Sequence, residues 1–281
     1  MTFAALEESG LSLFAAAAWG GGDFCGGLAT KRTSVFRVVA VAHGCGLLAM
    51  LTMAWIMGEA IPPGADLWWG ALAGLVGAFG IAALYRALAI GRMGVVAPVA
   101  AVVTGILPVL FGIRSEGMPD RMQMMGFALA LVSIWLVARP DEYVDSHRGL
   151  GLAVLAGVMF GLFLVAGKQA GHHGVFWPLV AARLVSTTLM LALVAISPGD
   201  PQPLRTMLWP MVLSGLLDSA GNALFIAATR HGRLDVAAVL SSLYPASTVV
   251  LARVLLKERI SKSQGAGILG ALTSVALISW R

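Results

Sequence analysis

Four ionisable side chains stand inside long apolar runs: Asp23 in AAAAWGGGDFCGGLATKR, His43 in AVAHGCG, Arg183 in AARLVST and Asp218 in LSGLLDSAGNALF. In water such residues need no explanation. In hydrocarbon a charged side chain costs roughly 3 kcal/mol or more, so by default it faces a bundle interior or a hydrated cavity and marks a substrate or ion path. Asp218 is the sharper of the two acids. Ser219 adjoins it and Asn222 follows one turn later, which makes a polar stripe on an otherwise apolar helix. A carboxylate there suits proton coupling; the alternative is a fixed ion pair with Arg183, which is also a candidate anchor for an anion. Asp23 has Trp19 one turn earlier, and an indole face beside a carboxylate suits a cationic or amphoteric ligand. A second reading has Asp23 capping the membrane surface, because Lys31 and Arg32 close the same segment.

The remaining candidates are weaker. His43 is of a type that titrates near neutral pH, or it is simply hydrogen-bonded within a bundle. Tyr85, next to Arg86, and Tyr244 are gate or cavity residues by position. The expected cavity set is therefore Trp19, Asp23, His43, Tyr85, Arg183, Asp218, Asn222 and Tyr244, with Asp218 and Asp23 as the proton-coupling pair. Pro98, Pro108 and Pro245 lie within apolar segments. Each is an expected helix kink, and the hydrogen bond that Pro245 removes frees a carbonyl to face the pore. Lys168 is expected to snorkel to the interface. His172-His173 has no second ligand cluster nearby, so no metal site is expected, and Glu258-Arg259 reads as a loop-stabilising pair.

These residues need elements to position them, and composition says which. Of the 281 residues, 58% are hydrophobic and 12% charged, with a mean hydropathy of +0.86. About a quarter of a soluble domain is charged, so this chain reads as a multi-pass integral membrane protein. A span needs about 20 apolar residues. The first five predicted spans are Leu11–Ala29, Val35–Met57, Leu67–Ile90, Val95–Ile113 and Met122–Ala138. The second five are Gly149–Ala170, Val175–Ile196, Met207–Thr229, Val236–Leu256 and Gln264–Trp280. They are too long and too continuously apolar for barrel strands. Cys25 and Cys45 lie in spans and give no disulfide framework. The N-terminal stretch has Glu7 and Glu8 but no basic region, so no cleaved signal is expected. The basic residues cluster at span ends, which accounts for the +5 charge without nucleic acid.

Shifted by 141 residues, the chain matches itself without gaps: Gly20 on Gly161, Leu67-Trp68 on Leu208-Trp209, Gly74 on Gly215, Gly91-Arg92 on Gly232-Arg233, Gln123 on Gln264. Each half holds five spans, so the second half inserts upside down. The expected fold is all-α: ten transmembrane helices as two inverted five-helix repeats, residues 1–140 and 141–281. Such repeats place a transport site at their interface near mid-membrane. Both termini are expected on the same side; the charge bias of the loops puts them outside the cell.

The stretch LYPASTVVLARVLLKERISKSQGAGILGALTSVALIS resembles the closing part of an EamA domain of the drug/metabolite transporter superfamily. The pattern is carried by Pro245, Glu258-Arg259, Gln264 and Gly267, and in the first half by Pro98 or Pro108, Glu116, Gln123 and Gly126. Glu116 departs from it in lacking an adjacent Arg. YRALAIGRMGVVAPVAAV is similar to the family's third-to-fourth span junction. The resemblance implies a ten-helix carrier of the cell inner membrane with a central cavity and alternating access. It also implies cytoplasmic termini, against the charge bias. The expected activity is export or exchange of a small organic metabolite, an amino acid or related amphoteric or cationic compound, with no cofactor. Partners are the substrate, the lipid bilayer and protons as a candidate coupling ion, in a monomer or homodimer. The alternatives are a flippase for a lipid-linked substrate and a non-transporting sensor or assembly subunit. No Walker loop, HExxH or GxSxG is present, so an enzyme is not expected.

Overall fold

The computed structural model describes residues 3–91, 93–138, 148–197, 205, 207–247, 251 and 262–278. Ten helices are present among them. The first half has α1 (Phe3–Thr30), α2 (Val35–Ile56), α3 (Gly64–Ile90), α4 (Met93–Glu116) and α5 (Arg121–Ala138). The second has α6 (Leu150–Ala170), α7 (Phe176–Ile196), α8 (Leu208–His231), α9 (Leu234–Ser241) and α10 (Lys262–Ile278). Six of them (α2, α3, α4, α6, α7 and α8) are long and apolar enough to cross a membrane, and parts of α5 and α10 are shorter apolar helices.

Punctuation sets the boundaries. Pro63 precedes the first turn of α3, where a missing N–H costs nothing. After α2, Gly58 takes a left-handed φ of +60°. Its N–H bonds the Trp55 carbonyl and that of Glu59 bonds the Ala54 carbonyl, a Schellman stop. That stop aims Glu59 across the start of α7. One carboxylate oxygen accepts from the N–H groups of Phe176 and Trp177 (2.9 Å each), the other from Val175 (2.8 Å). Trp177 Nε1 adds a bond to the Glu59 carbonyl at 2.7 Å. A glutamate from one half thus caps a helix of the other, a role the sequence reading missed.

The halves interlock. The first helix of each packs on the third of the other, α1 on α8 and α6 on α3, while α2 pairs with α7 and α5 with α10. Repeat-related glycines make this possible. A Cβ on Gly74 would run into the Ala182 backbone, and one on Gly215 into the Ala42 backbone. Small residues let helices meet where lipid gives no hydrophobic drive. The boundary near residue 140 divides the sequence, not the packing. Trp68 and Trp209, another repeat pair, are 70% and 72% exposed. They open α3 and α8, and such tryptophans suit the two membrane–water interfaces.

Two expectations change. Span nine is not one helix: α9 stops at Ser241, and helical backbone resumes at residues 244–247 after a turn at Ser242-Leu243. Pro245 lies four residues past Ser241 and has no N–H for its carbonyl, so the ladder breaks there. By contrast, α4 runs unbroken past Pro98 and Pro108. The first helix begins well before Leu11, carrying Glu8 into the bundle, where it is 1% exposed. Glu258-Arg259 lies outside the described residues.

Candidate substrate cavity

A cavity of about 70 Å³ lies between the halves at mid-bundle. A bound water needs roughly 10–15 Å³ of such space, so the cavity has room for a few waters or a small ligand group. Its wall takes Trp19 and Asp23 from α1, His43 from α2, Arg183 from α7, and Asp218 and Asn222 from α8. Tyr244 comes from the segment after α9. Seven of the eight residues expected from sequence therefore meet at one place.

The polar groups form a chain across four helices. Arg183 and Asp218 are joined by an ion pair, Nη2 to Oδ2. Asn222 Nδ2 reaches the same Oδ2 at 3.5 Å, and its own carbonyl oxygen accepts from Trp19 Nε1 at 2.9 Å. The Trp19 ring leans on Phe225 with centroids 5.8 Å apart. His43 Nδ1 lies 2.9 Å from Ser186 Oγ, which also donates to the Arg183 carbonyl at 3.2 Å. Gly46 leaves room for this cluster: a Cβ there would strike Ser219 Oγ and crowd Arg183 Nε. Among the described residues neither of those two buried atoms has a hydrogen-bond partner.

Asp23 differs from Asp218. It lines the same cavity, but among the described residues no donor bonds its carboxylate. Its neighbour Gly22 is what brings it close: a Cβ at Gly22 would lie 3.2 Å from the Ser214 carbonyl and 3.3 Å from the Asp218 amide. The helix carrying one acid is thereby pressed against the helix carrying the other.

Two residues go elsewhere. Tyr85 does not line the cavity. It is 2% exposed, packs its ring on Gly26 and shares a 3.0 Å hydrogen bond between its hydroxyl and Ser214 Oγ. An internal aromatic with a satisfied hydroxyl is a packing residue. Lys168 reaches the end of α4, where its ammonium pairs with Glu116 (2.7 Å). His173 bonds Asp66 through its backbone N–H and its ring, both at 3.0 Å. Sequence reasoning missed the polar lining residues Thr104, Ser186 and Ser242, and the aromatic walls Phe160 and Phe163. Ser186 was findable, three residues past Arg183 on one helix face; Thr104 and the phenylalanines carry no such signal.

The model of the EamA-like transporter family matches residues 9–139 and again residues 147–280. The chain belongs to the EamA-like transporter family. The double match falls on the two five-helix halves, and the family is one of multi-pass membrane transporters. No curated protein matches this EamA-like chain. Among solved structures, one described only as "Crystal structure of protein" is similar, with a TM-score of 0.76 at 18% identity. It covers 96% of this chain and 95% of its own. At that identity the likeness is one of fold.

Proposed function

We propose that this EamA-like transporter is a secondary carrier for a small amphoteric or cationic organic metabolite, with an amino acid or a related amine as the favoured cargo. It would work by alternating access in the cell inner membrane, as an exporter or exchanger, with both termini on the same side. One observation carries the reading: the cavity holds two acids of unequal standing. Asp218 is engaged by Arg183 and Asn222, whereas among the described residues no donor bonds Asp23, which has the Trp19 ring one turn away. A ligand ammonium supplies what Asp23 lacks, and an indole face favours such a cation. Phe160 and Phe163 offer an apolar wall for the rest of a small ligand. Where no ligand cation is present, a proton on Asp23 would neutralise it, so Asp23 is the favoured coupling site and Asp218 the second.

The test is a melting-temperature screen of the purified protein in detergent against amino acids, amines, sugars, nucleosides and phosphates at two pH values. A ligand that binds only the folded state raises the midpoint by mass action. Stabilisation by an amino acid or amine, lost in Asp23→Asn, is the expected result. Stabilisation by sugars or phosphates alone, or amine stabilisation that survives Asp23→Asn, would overturn it.

A further inference from the structure

The 141-residue shift pairs four positions on the cavity wall with four others that also line it: Trp19 with Phe160, Asp23 with Leu164, Gly77 with Asp218 and Ile81 with Asn222. The register holds in space as well as in sequence. The Trp19 ring lies against Gly221 of α8, where a Cβ would collide with it. The Phe160 ring lies in the same way against Gly80 of α3, the position paired with Gly221. The two halves thus build the cavity from equivalent sites.

What those sites carry differs in one direction. A ring is matched by a ring. In the other three pairs the polar member, Asp23, Asp218 or Asn222, stands on α1 or α8, and the apolar member, Leu164, Gly77 or Ile81, stands on α6 or α3. The Phe163 ring fills the space beside Gly77, 3.0 Å from where a Cβ would lie. No charged residue occurs in α3 between Asp66 and Arg86, or in α6 before Lys168. Thr104 and Ser242 also reach the cavity. Each donates its hydroxyl hydrogen to a carbonyl four residues back, Ala100 (2.8 Å) and Ala238 (2.7 Å).

The cavity therefore has two ends of opposite chemistry. Its charged groups and amide come from α1, α7 and α8, together with His43 of α2; its α3–α6 wall is apolar. A polar side group pressed on that wall would lose its water and gain no partner, which is unfavourable. An apolar side group there gains by leaving water.

We infer that the α3–α6 wall is the pocket for the side group of the cargo, so that the carrier selects amino acids or amines with an apolar side group over those with a polar one. Ile81 and Phe163 are the specificity-determining residues. The inference rests on the carrier reading above, in which Asp23 takes the ammonium.

The test uses pairs of compounds alike in head group and nearly equal in shape. Leucine and asparagine differ in an isobutyl against an amide side group; isopentylamine and β-alaninamide are the same pair without the carboxylate. Apparent dissociation constants are read from the rise in melting temperature of the purified full chain in detergent as each compound is titrated. The apolar member of at least one pair should bind about tenfold more tightly or better, the selectivity expected of a small apolar pocket. Ile81→Asn, which gives α3 the residue type of its paired position, should erase that preference, because the amide then meets a partner. Phe163→Ala, which opens space beside Gly77, should turn the preference from leucine toward phenylalanine, or from isopentylamine toward phenethylamine. Melting of the ligand-free variants checks that each is folded; should Ile81→Asn unfold, Phe163→Ala decides. An amide that binds the native protein as tightly as its apolar counterpart, or a preference that neither variant alters, overturns the side-group pocket and leaves the carrier reading standing. No stabilisation by any of these compounds also overturns the pocket. If the other amino acids and amines of the wider screen are equally without effect, the carrier reading falls with it.

Discussion

Arg183 and Asp218, from neighbouring helices of the second half, form an ion pair in the cavity wall, and Asn222 links that pair to Trp19 in the first half. The Arg183 side chain is 6% exposed and that of Asp218 22%. A pair so placed makes each residue a liability without the other.

Removing one partner of a buried pair costs about 3–5 kcal/mol, because the remaining charge has no compensation, whereas an apolar replacement of both can be neutral. Arg183→Met is therefore expected to lower the melting temperature in detergent strongly, and Arg183→Met with Asp218→Leu to recover most of the loss. Additive losses in the double-mutant cycle would show that the pair is not coupled.

Asp23 should behave in the opposite way. With no donor to abandon among the described residues, Asp23→Asn leaves the melting temperature of the ligand-free protein unchanged or higher. It abolishes the pH dependence of ligand binding. Asp218→Asn, by contrast, lowers stability with or without ligand. Matched pH titrations of ligand-induced stabilisation in the two variants make the comparison.

Trp19→Phe keeps a ring in the cavity but removes the donor to Asn222. A lost neutral hydrogen bond is worth about 1 kcal/mol, so a small drop in stability is expected, with weaker cation binding because the indole face is gone. Thermal unfolding with and without the ligand separates the two effects.

Glu59 holds the three amides at the start of α7. Bonds to a charged group contribute about 1.5–3 kcal/mol each at most, and Glu59→Ala strips all three at once. A large fall in melting temperature is expected, partly restored by Glu59→Gln. A Glu59→Ala protein as stable as the native one would show that water replaces the carboxylate.

Glycine at a close crossing cannot be enlarged. Gly215→Ala pushes a methyl into the Ala42 backbone, and overpacking of this kind costs about 1–3 kcal/mol or more. Gly265→Ala meets nothing within 4 Å and sits in α10, so it should be neutral or stabilising. Yield and melting temperature of the two variants, measured side by side, test whether the helix crossing or mere glycine content matters.

Hydropathy and self-similarity run along the chain, and so the sequence alone settled the membrane class, nearly all the helices and the two-half design. It also singled out Asp23, His43, Arg183, Asp218 and Asn222, because polar groups in apolar segments need a reason to be there. What it left open was pairing. Whether Asp23 or Asp218 meets Arg183, whether Lys168 reaches water or Glu116, and whether Tyr85 faces the cavity or Gly26 all depend on which helices touch. The partners stand far apart in the chain: 35 residues for Arg183 and Asp218, 203 for Trp19 and Asn222, 225 for Glu8 and Arg233. No local period encodes such separations. They are decided by where glycines such as Gly74 and Gly215 let two backbones meet, and only the folded bundle shows what those crossings bring together.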